Sequence, residues 1–386
     1  MVDLMMDSIF QESTVNMGAG RVLWSQAGFQ FLAVSVVDGT VLAELPELQL
    51  TRLSYRFEET TSETAVLPWH DICRNWDEVT MPYQVAILLV RGETVLWGGI
   101  VVKRERSFED VGLTLTLVTV EHYLDSVHVG THSYSNRDQC DIVKDLVSST
   151  LADHRFNLLV EASPSSIRRD RTYDACSDKT LLSVLQELAN VLNGPEWCTM
   201  WRRLDDGRYT PVLKVADRIG SSTVATTFDE SVMTSFTVTE DYTNGYGANW
   251  VLAVSTADAG ERPQSDAMTV VQPNRPVVEY VFQPSSSITN RETLNAHAQS
   301  TLLQMVNGTS TVKMGLSLLA APMIYQEWQP GDLISWDVAD SRGFFTGFSK
   351  GSARIVGYEI DFTGVWTITP VLQDEVTNAE QIQIQS

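Results

Sequence analysis

The chain has 386 residues, 43% of them hydrophobic, and a formal net charge of −22. That length exceeds one ordinary core, and domains of roughly 100–200 residues each would divide it into several globular parts. A charge of that sign and size repels nucleic-acid phosphates, which argues against DNA or RNA binding by counterion release, and it suits a soluble protein of a crowded assembly.

The first residues, MVDLMMDSIF, carry acids where a signal peptide needs a basic region, and no apolar run approaches the roughly 20 residues of a membrane span. The expectation is a chain made in the cytoplasm, neither exported by a signal peptide nor inserted in a membrane. From Phe29 to Leu124 strands dominate: FQFLAVSVV, LQLTRLSYRF, YQVAILLV and then the pair TVLWGGIVVKRE and GLTLTLV. In the last of these, Leu113, Leu115 and Leu117 alternate with Thr114 and Thr116, the period-two pattern of a half-buried strand. Gly98 and Gly99 interrupt the partner strand, where a bend or a close backbone approach is expected. Within LQLTRLSYRF the parity of apolar residues changes between Leu50 and Leu53, which predicts a bulge at Thr51 and Arg52. Residues 58–82 read as a long polar excursion, and residues 29–125 as a first β-barrel.

After Asp125 the period changes. Ile142, Val143, Leu146, Val147 and Leu151 form a helical stripe for which Asn136, with Gln139 three residues on, is the expected cap. A second helix is expected after Ser177, with Leu181, Leu185, Leu188 and Leu192 on one face and Gly194-Pro195 at its end. With the strands FNLLV and YTPVLKV these make a small α/β domain over residues 126–225. Strands return from Phe228, as FTVTEDY, NWVLAVS, VVEYVF, STVKMGLSL, DLISWDV, ARIVGYEIDF and VWTITPVL. One helix interrupts them, announced by Thr289-Asn290-Arg291-Glu292 and stopped at Asn307-Gly308, so residues 226–373 read as a second barrel with inserted elements. Residues 1–28 and 374–386 are terminal segments. The pair ARIVGYEIDF and VWTITPVL echoes LWGGIVVKRE and GLTLTLV, although any two antiparallel hairpins share that much. The fold class is β-rich α+β, with two antiparallel β-barrel-like domains and a small α/β domain between them.

Catalytic constellations are absent from the pattern. There is no G-x-S-x-G, no phosphate-cradling G-x-x-x-x-G-K, no dinucleotide fingerprint after a strand and no H-E-x-x-H. His122, His128 and His132 fall in a strand-to-loop region and read as ordinary histidines, and Cys73, Cys140, Cys176 and Cys198 lack metal-ligand spacing and read as reduced thiols. Glu58-Glu59 and Asp205-Asp206 are neighbours in sequence, which on a strand point to opposite faces, so solvated turns explain them better than a glycosidase pair. The basic runs Arg168-Arg169-Asp170-Arg171 and Trp201-Arg202-Arg203, interleaved with Tyr173 and Trp197, could clamp a polyanion, but salt bridges between subunits are the favoured reading. Trp97, Trp250, Trp336 and Trp366 sit in apolar strands and read as core. No catalytic, cofactor-binding or metal-binding residue is assigned and no cofactor is expected.

The order of LWGGIVV, LTLTLVTVEHYLDSVHV, NRDQCDIVKDLVSSTL, DKTLLSVLQELANVLNGPEWCTMWRRLDDG, WQPGDLISWDV and ARIVGYEIDF resembles the minor tail proteins, or tail-tip (baseplate) hub proteins, of long-tailed phages, over about Phe29 to Gln373. The resemblance implies a structural virion protein at the distal tail tip and not an enzyme. It implies a homotrimer in which two barrels per subunit give six similar positions, joining a sixfold tail tube to threefold tip proteins around the DNA-exit channel. Its implied partners are the distal tail protein above, the tape-measure protein within and other tip proteins below. Acidic side chains would then line the channel and let the genome slide past. Related tail lysins carry an added hydrolase or fibre region, whereas this chain stops soon after the last expected strand, so wall degradation is expected of another protein. Barrel edges and the two amphipathic helices are the expected contact surfaces. Two alternatives stand beside this reading: a module holding cell-wall glycan on Trp69, Trp76 and Trp197, and a cell-wall hydrolase with unrecognised carboxylates.

Overall fold

In a computed structural model the structure describes residues 24–68, 75–107, 112–255, 262–284, 288 and 290–373. It divides into two compact units, Met1–Phe236 with Lys313–Gln373, and Thr237–Val312 with Asp374–Ser386.

The larger unit opens with β1 (Phe29–Ser35), β2 (Val41–Glu44), β3 (Gln49–Leu50), β4 (Arg52–Arg56), β5 (Ser62–Pro68), the one-turn helix α1 (Trp76–Val79), β6 (Val85–Arg91), β7 (Thr94–Glu105) and β8 (Gly112–Val118). All of these strands except β4 form one antiparallel sheet in the order β2-β1-β6-β7-β8-β5-β3. Leu113, Leu115 and Leu117 are buried as their alternation with threonine requires. Ser62–Pro68, inside the stretch read as an excursion, is instead a full strand paired residue for residue with β8. Its sequence SETAVLP has the weaker alternation of a strand between two neighbours, which hid it among polar residues.

The chain continues through α2 (Val120–Asp125), β9 (His132–Asp138), α3 (Gln139–Leu151), β10 (Leu159–Ala162), β11 (Arg168–Tyr173), α4 (Leu181–Ala189), β12 (Glu196–Arg203) and β13 (Tyr209–Ala216). The strands form a three-stranded sheet, β10-β13-β12, and a ribbon of β11 with β9. Both helices start later than the sequence suggested. Asp138, not Asn136, caps α3, accepting from the amides of Cys140 and Asp141, because Asn136 is held within β9 with φ 46. Thr180 caps α4, accepting from the Ser183 amide, and Ser177 closes a short 3-10 turn before it. The helix ends at Asn190, so Leu192 is 88% exposed and not on the apolar face. Ile142, Val143, Leu146, Val147, Leu181, Leu185 and Leu188 join one continuous core with Val34, Leu88, Ile100, Trp197 and Leu213. The apolar faces of these helices are thus buried within the subunit and are not free contact surfaces, which corrects that expectation.

The second sheet takes β14 (Val224–Asp229) and β15 (Met233–Asp241) from this point of the chain. The smaller unit follows, with β16 (Trp250–Ala253), β17 (Met268–Thr269), β18 (Glu279–Phe282) and α5 (Arg291–Met305). Its core is α5 against the strand order β17-β16-β18, with Leu294, Ala298 and Leu302 facing Val251 and Ala253. Asn290 caps α5, one residue after the Thr289 that a Thr-x-x-Glu capping box would use and that lies outside the described residues, and Gly308, at φ 70, follows the helix end as expected.

The larger unit then resumes with β19 (Thr309–Ser317), β20 (Leu333–Asp337), β21 (Lys350–Asp361) and β22 (Thr367–Leu372). The second sheet has the order β14-β20-β21-β22-β19-β15, with β4 as its seventh strand, paired to β21. The break of parity at Thr51 is therefore more than a bulge. Leu50 pairs with Ala65 in the first sheet and Arg52 with Asp361 in the second, so the chain changes sheets between them. The fold is β-rich α+β, and both seven-stranded sheets are open in their strand order.

Candidate functional site

The feature that organises the larger unit is the seam between its two sheets. β7 and β21 are both 12 residues long, each lies between the strand before and the strand after it in the chain, and each carries a register shift against the latter. The hairpin echo in the sequence is therefore an echo of position as well. The first half of β21 pairs with β20, and the second half pairs with β4 on the same side, through Gly357–Asp361 against Arg56–Arg52. Gly357 is needed there, since a Cβ on it would lie 2.3 Å from the Tyr55 carbonyl oxygen.

Side chains brace this seam. The Tyr358 hydroxyl donates to the Leu96 carbonyl at 2.5 Å, the Trp97 indole donates to the Ser54 carbonyl at 2.8 Å, and Arg91 donates to the Leu318 carbonyl at 3.1 Å. Trp24 packs edge-on against Phe31 of the first sheet and Phe362 of the second, each at 4.9 Å between ring centroids. From the third side β12 presses Trp201 onto Gly98, whose Cβ would lie 2.4 Å from the indole ring. Close approach, not a bend alone, is the reason for that glycine.

Buried polar groups sit where β4, β12 and β21 meet. The Thr199 amide donates to the Tyr55 hydroxyl at 3.2 Å, and the Thr199 hydroxyl donates to Glu121 Oε1 at 2.6 Å. Glu121 lies in the first turn of α2 and is wholly buried. Burial raises its carboxyl above the ordinary value, opposed by the hydrogen bonds from Thr199 and Thr119. Burial also raises Tyr55 well above the usual phenol range and the Cys198 thiol to about 12. The cavities lined by Tyr55 and Thr199 measure about 20 and 10 Å³, too small for a substrate. A larger cavity of about 530 Å³ opens beside Glu58, lined also by Arg56, Glu59, Glu196, Asp217 and Arg354. Glu196 is tied by both oxygens to Arg354, at 2.7 and 2.5 Å, and Asp217 accepts from Gln139 at 2.7 Å. Burial lifts Glu58 to about 7.

The residues singled out in the sequence are not brought together. His122 stacks on Tyr83, His132 stacks on Tyr134, and His128 bridges to Thr180 through its backbone. Among the described residues no group of His, Cys, Asp and Glu converges as a metal site would. The basic runs find partners within the chain, a route to their pairing that the sequence reading, which favoured bridges between subunits, did not give. Arg202 pairs with Glu161 at 2.5 Å, Arg203 pairs with Glu93 at 2.7 Å, and Arg169 donates to Gln139 and to the Leu192 and Asn193 carbonyls. Tyr173, Trp197 and Trp201 are buried and offer no stacking platform. That removes Trp197 from any glycan surface; Trp76 carries Arg104 and Arg106 over its ring at 5.5 and 5.0 Å, and Trp69 lies outside the described residues. Trp97 and Trp336 are core residues as expected, whereas Trp250 and Trp366 are only partly buried. Cys140 and Cys198 are buried free thiols, Cys176 is an exposed one, and Cys73 lies outside the described residues. No described helix is long and apolar enough to cross a membrane. What sequence reasoning missed is the seam, because its contacts join residues some 300 positions apart, as Arg56 and Glu359 are.

No family model and no curated protein matches this sequence. Solved structures do. The tail protein from Neisseria meningitidis MC58 superposes with a TM-score of 0.50 at 14% identity, over 90% of this chain and 97% of its own. A 43 kDa tail protein of prophage MuSo2 from Shewanella oneidensis gives 0.49 at 10% identity, over 89% and 98%. Prophage tail protein gp18 from Listeria monocytogenes EGD-e gives 0.41 at 11% identity, over 90% and 95%. The resemblance read from the order of sequence segments is borne out at the level of the fold: this chain has the fold of the Neisseria meningitidis tail protein.

Proposed function

We propose that the chain is a structural subunit of a phage tail tip, a trimeric hub that joins the sixfold tail tube to threefold tip proteins around the DNA-exit channel. The observation that carries this reading is the end-to-end likeness to a tail protein over 90% of this chain and 97% of that one. The internal geometry supports it. Two seven-stranded sheets in one subunit, built around 12-residue strands in equivalent positions and braced by β4, supply two similar wall segments per chain. Three subunits then present six such segments, which is the match a sixfold tube needs. The distal tail protein, the tape-measure protein and tip proteins are the partners of this reading, the tail tip of the virion its location, and its role is structural and not catalytic.

End strands are the natural joints of such a ring. β2 ends the first sheet, and both Val41 and Leu42 are exposed on it although they point to opposite faces. The test is the mass of the purified chain by light scattering, alone and mixed with the neighbouring distal tail protein. A trimer in either condition, lost in a Val41→Lys/Leu42→Lys double variant that remains folded, is the expected result. A monomer in both conditions at every concentration would overturn the trimeric hub.

A further inference from the structure

Where β4, β12 and β21 meet, one buried donor is left over. The Trp201 indole N–H of β12 has no hydrogen-bond partner among the described residues, although the residue is only 6% exposed. A buried N–H without an acceptor is costly, and folded proteins pair nearly all such groups with protein or with ordered water. Trp201 also lines the cavity of about 20 Å³ in the seam, together with Gly98, Thr199, Tyr55, Tyr325 and Tyr358. A cavity of about 10–15 Å³ holds one water, provided that two to four polar groups face it.

The lining supplies acceptors for such a guest. Tyr358 gives its proton to the Leu96 carbonyl, so its oxygen keeps its lone pairs, and the Tyr325 hydroxyl approaches it at 3.5 Å. Tyr325, between β19 and β20, reaches the seam from a left-handed backbone at φ 63, a conformation that persists only where the surrounding structure holds it. The Tyr55 oxygen accepts from the Thr199 amide at 3.2 Å and retains a second lone pair. The Trp97 indole is already committed to the Ser54 carbonyl, which leaves Trp201 as the indole donor in need of an acceptor. No Asp, Glu, Lys, Arg or His lines this cavity, and burial raises all three phenols above their usual range, so the site is neutral and suits water better than an ion.

We propose that this cavity is a binding site for one structural water, which accepts from the Trp201 indole and donates to oxygens of the Tyr55, Tyr325 and Tyr358 cluster. The water fastens β12 to the joint between the two sheets, alongside the close contact of Trp201 with Gly98. Trp197 supplies the contrast. Its indole N–H is equally buried and unpartnered among the described residues, yet it lines neither small cavity of the seam, so no water is assigned to it.

The test is a high-resolution crystal structure of the full chain, joined to NMR of its labelled tryptophan indoles in water. The crystal should show one ordered water within hydrogen-bond distance of Trp201 Nε1 and of at least one of the three phenol oxygens. In solution the Trp201 indole proton should cross-relax directly with water, and the Trp197 indole proton should not. Gly98→Ala, whose methyl would stand 2.6 Å from Trp201 Nε1 before any adjustment, should abolish the Trp201 signal. A dry cavity, a Trp201 indole found on a protein acceptor, or equal water signals at Trp201 and Trp197 overturns the proposal. If Gly98→Ala does not fold, the crystal and the two wild-type indoles decide alone.

Discussion

The hydroxyl of Tyr358 donates to the carbonyl of Leu96 at 2.5 Å, joining the two long strands that hold equivalent places in the two sheets. Both groups are buried, and the Tyr358 ring also packs against Tyr55 of the crossing strand, 5.6 Å between centroids. Tyr358→Phe keeps the ring and orphans the carbonyl, so it should destabilise the larger unit by about 1–2 kcal/mol in urea unfolding. A loss no larger than that of an exposed Tyr83→Phe control would show that the bond does not brace the seam.

Gly98→Ala drives a methyl into the buried Trp201 indole and the side chain of Leu88, the residue paired with it on β6. A cost of about 1–3 kcal/mol is expected. Adding Trp201→Leu should recover part of it, because the smaller side chain makes room. Absence of any recovery in the double variant would place the clash elsewhere.

Glu121 gives a pH dependence whose sign follows from its raised carboxyl. An acid harder to ionise in the folded state than in the unfolded one contributes most below the ordinary value of 4.5 and loses that contribution as pH rises. Glu121→Gln, which keeps an acceptor for Thr199, should therefore melt above wild type at pH 8 and converge with it toward pH 4. Parallel melting curves across that range would mean the carboxyl titrates normally.

Two arginine pairs should separate by burial. Arg202 of β12 and Glu161 of β10 are each exposed on the three-stranded sheet, so Arg202→Ala should cost under about 1 kcal/mol and less in high salt. Arg354, 11% exposed, holds Glu196 and two backbone carbonyls, so Arg354→Ala should cost about 2–3 kcal/mol with little salt dependence. Chemical denaturation at two ionic strengths measures both.

Local signals in the sequence carried the elements and not their partners. Alternation located β8, and the Thr289–Glu292 run with Gly308 located α5 to within one residue of its cap, because period and capping are properties of a few neighbouring residues. The cap of α3 slipped by two residues because Asn136 was recruited into the ribbon with β11, where its amide donates to Asp170 and its carbonyl accepts from Arg168, 34 and 32 positions away, contacts that no local pattern reports. Leu192 kept the spacing of a helical stripe after the helix had ended, since Asn190 and Asn193 terminate it through backbone geometry. Thr51 shows both sides at once: the parity break was visible in the sequence, whereas its meaning depended on a strand near the other end of the chain. The charge reading of the basic runs went outside the subunit because Glu93 and Glu161 lie far from Arg203 and Arg202 in sequence.

The position of β4 also governs the order in which the molecule can be completed. Arg52–Arg56 leaves the ribosome about 300 residues before the strand it pairs with, Lys350–Asp361. During synthesis the first sheet can assemble around β5 and β8, but the crossing strand keeps an unpaired edge until the final hairpin arrives. A nascent chain truncated before Lys350 should thus hold a native-like first sheet and an open seam, sensitive to proteolysis at residues 52–56. Arrival of one distant strand, and not merely the amount of chain made, is what closes this fold.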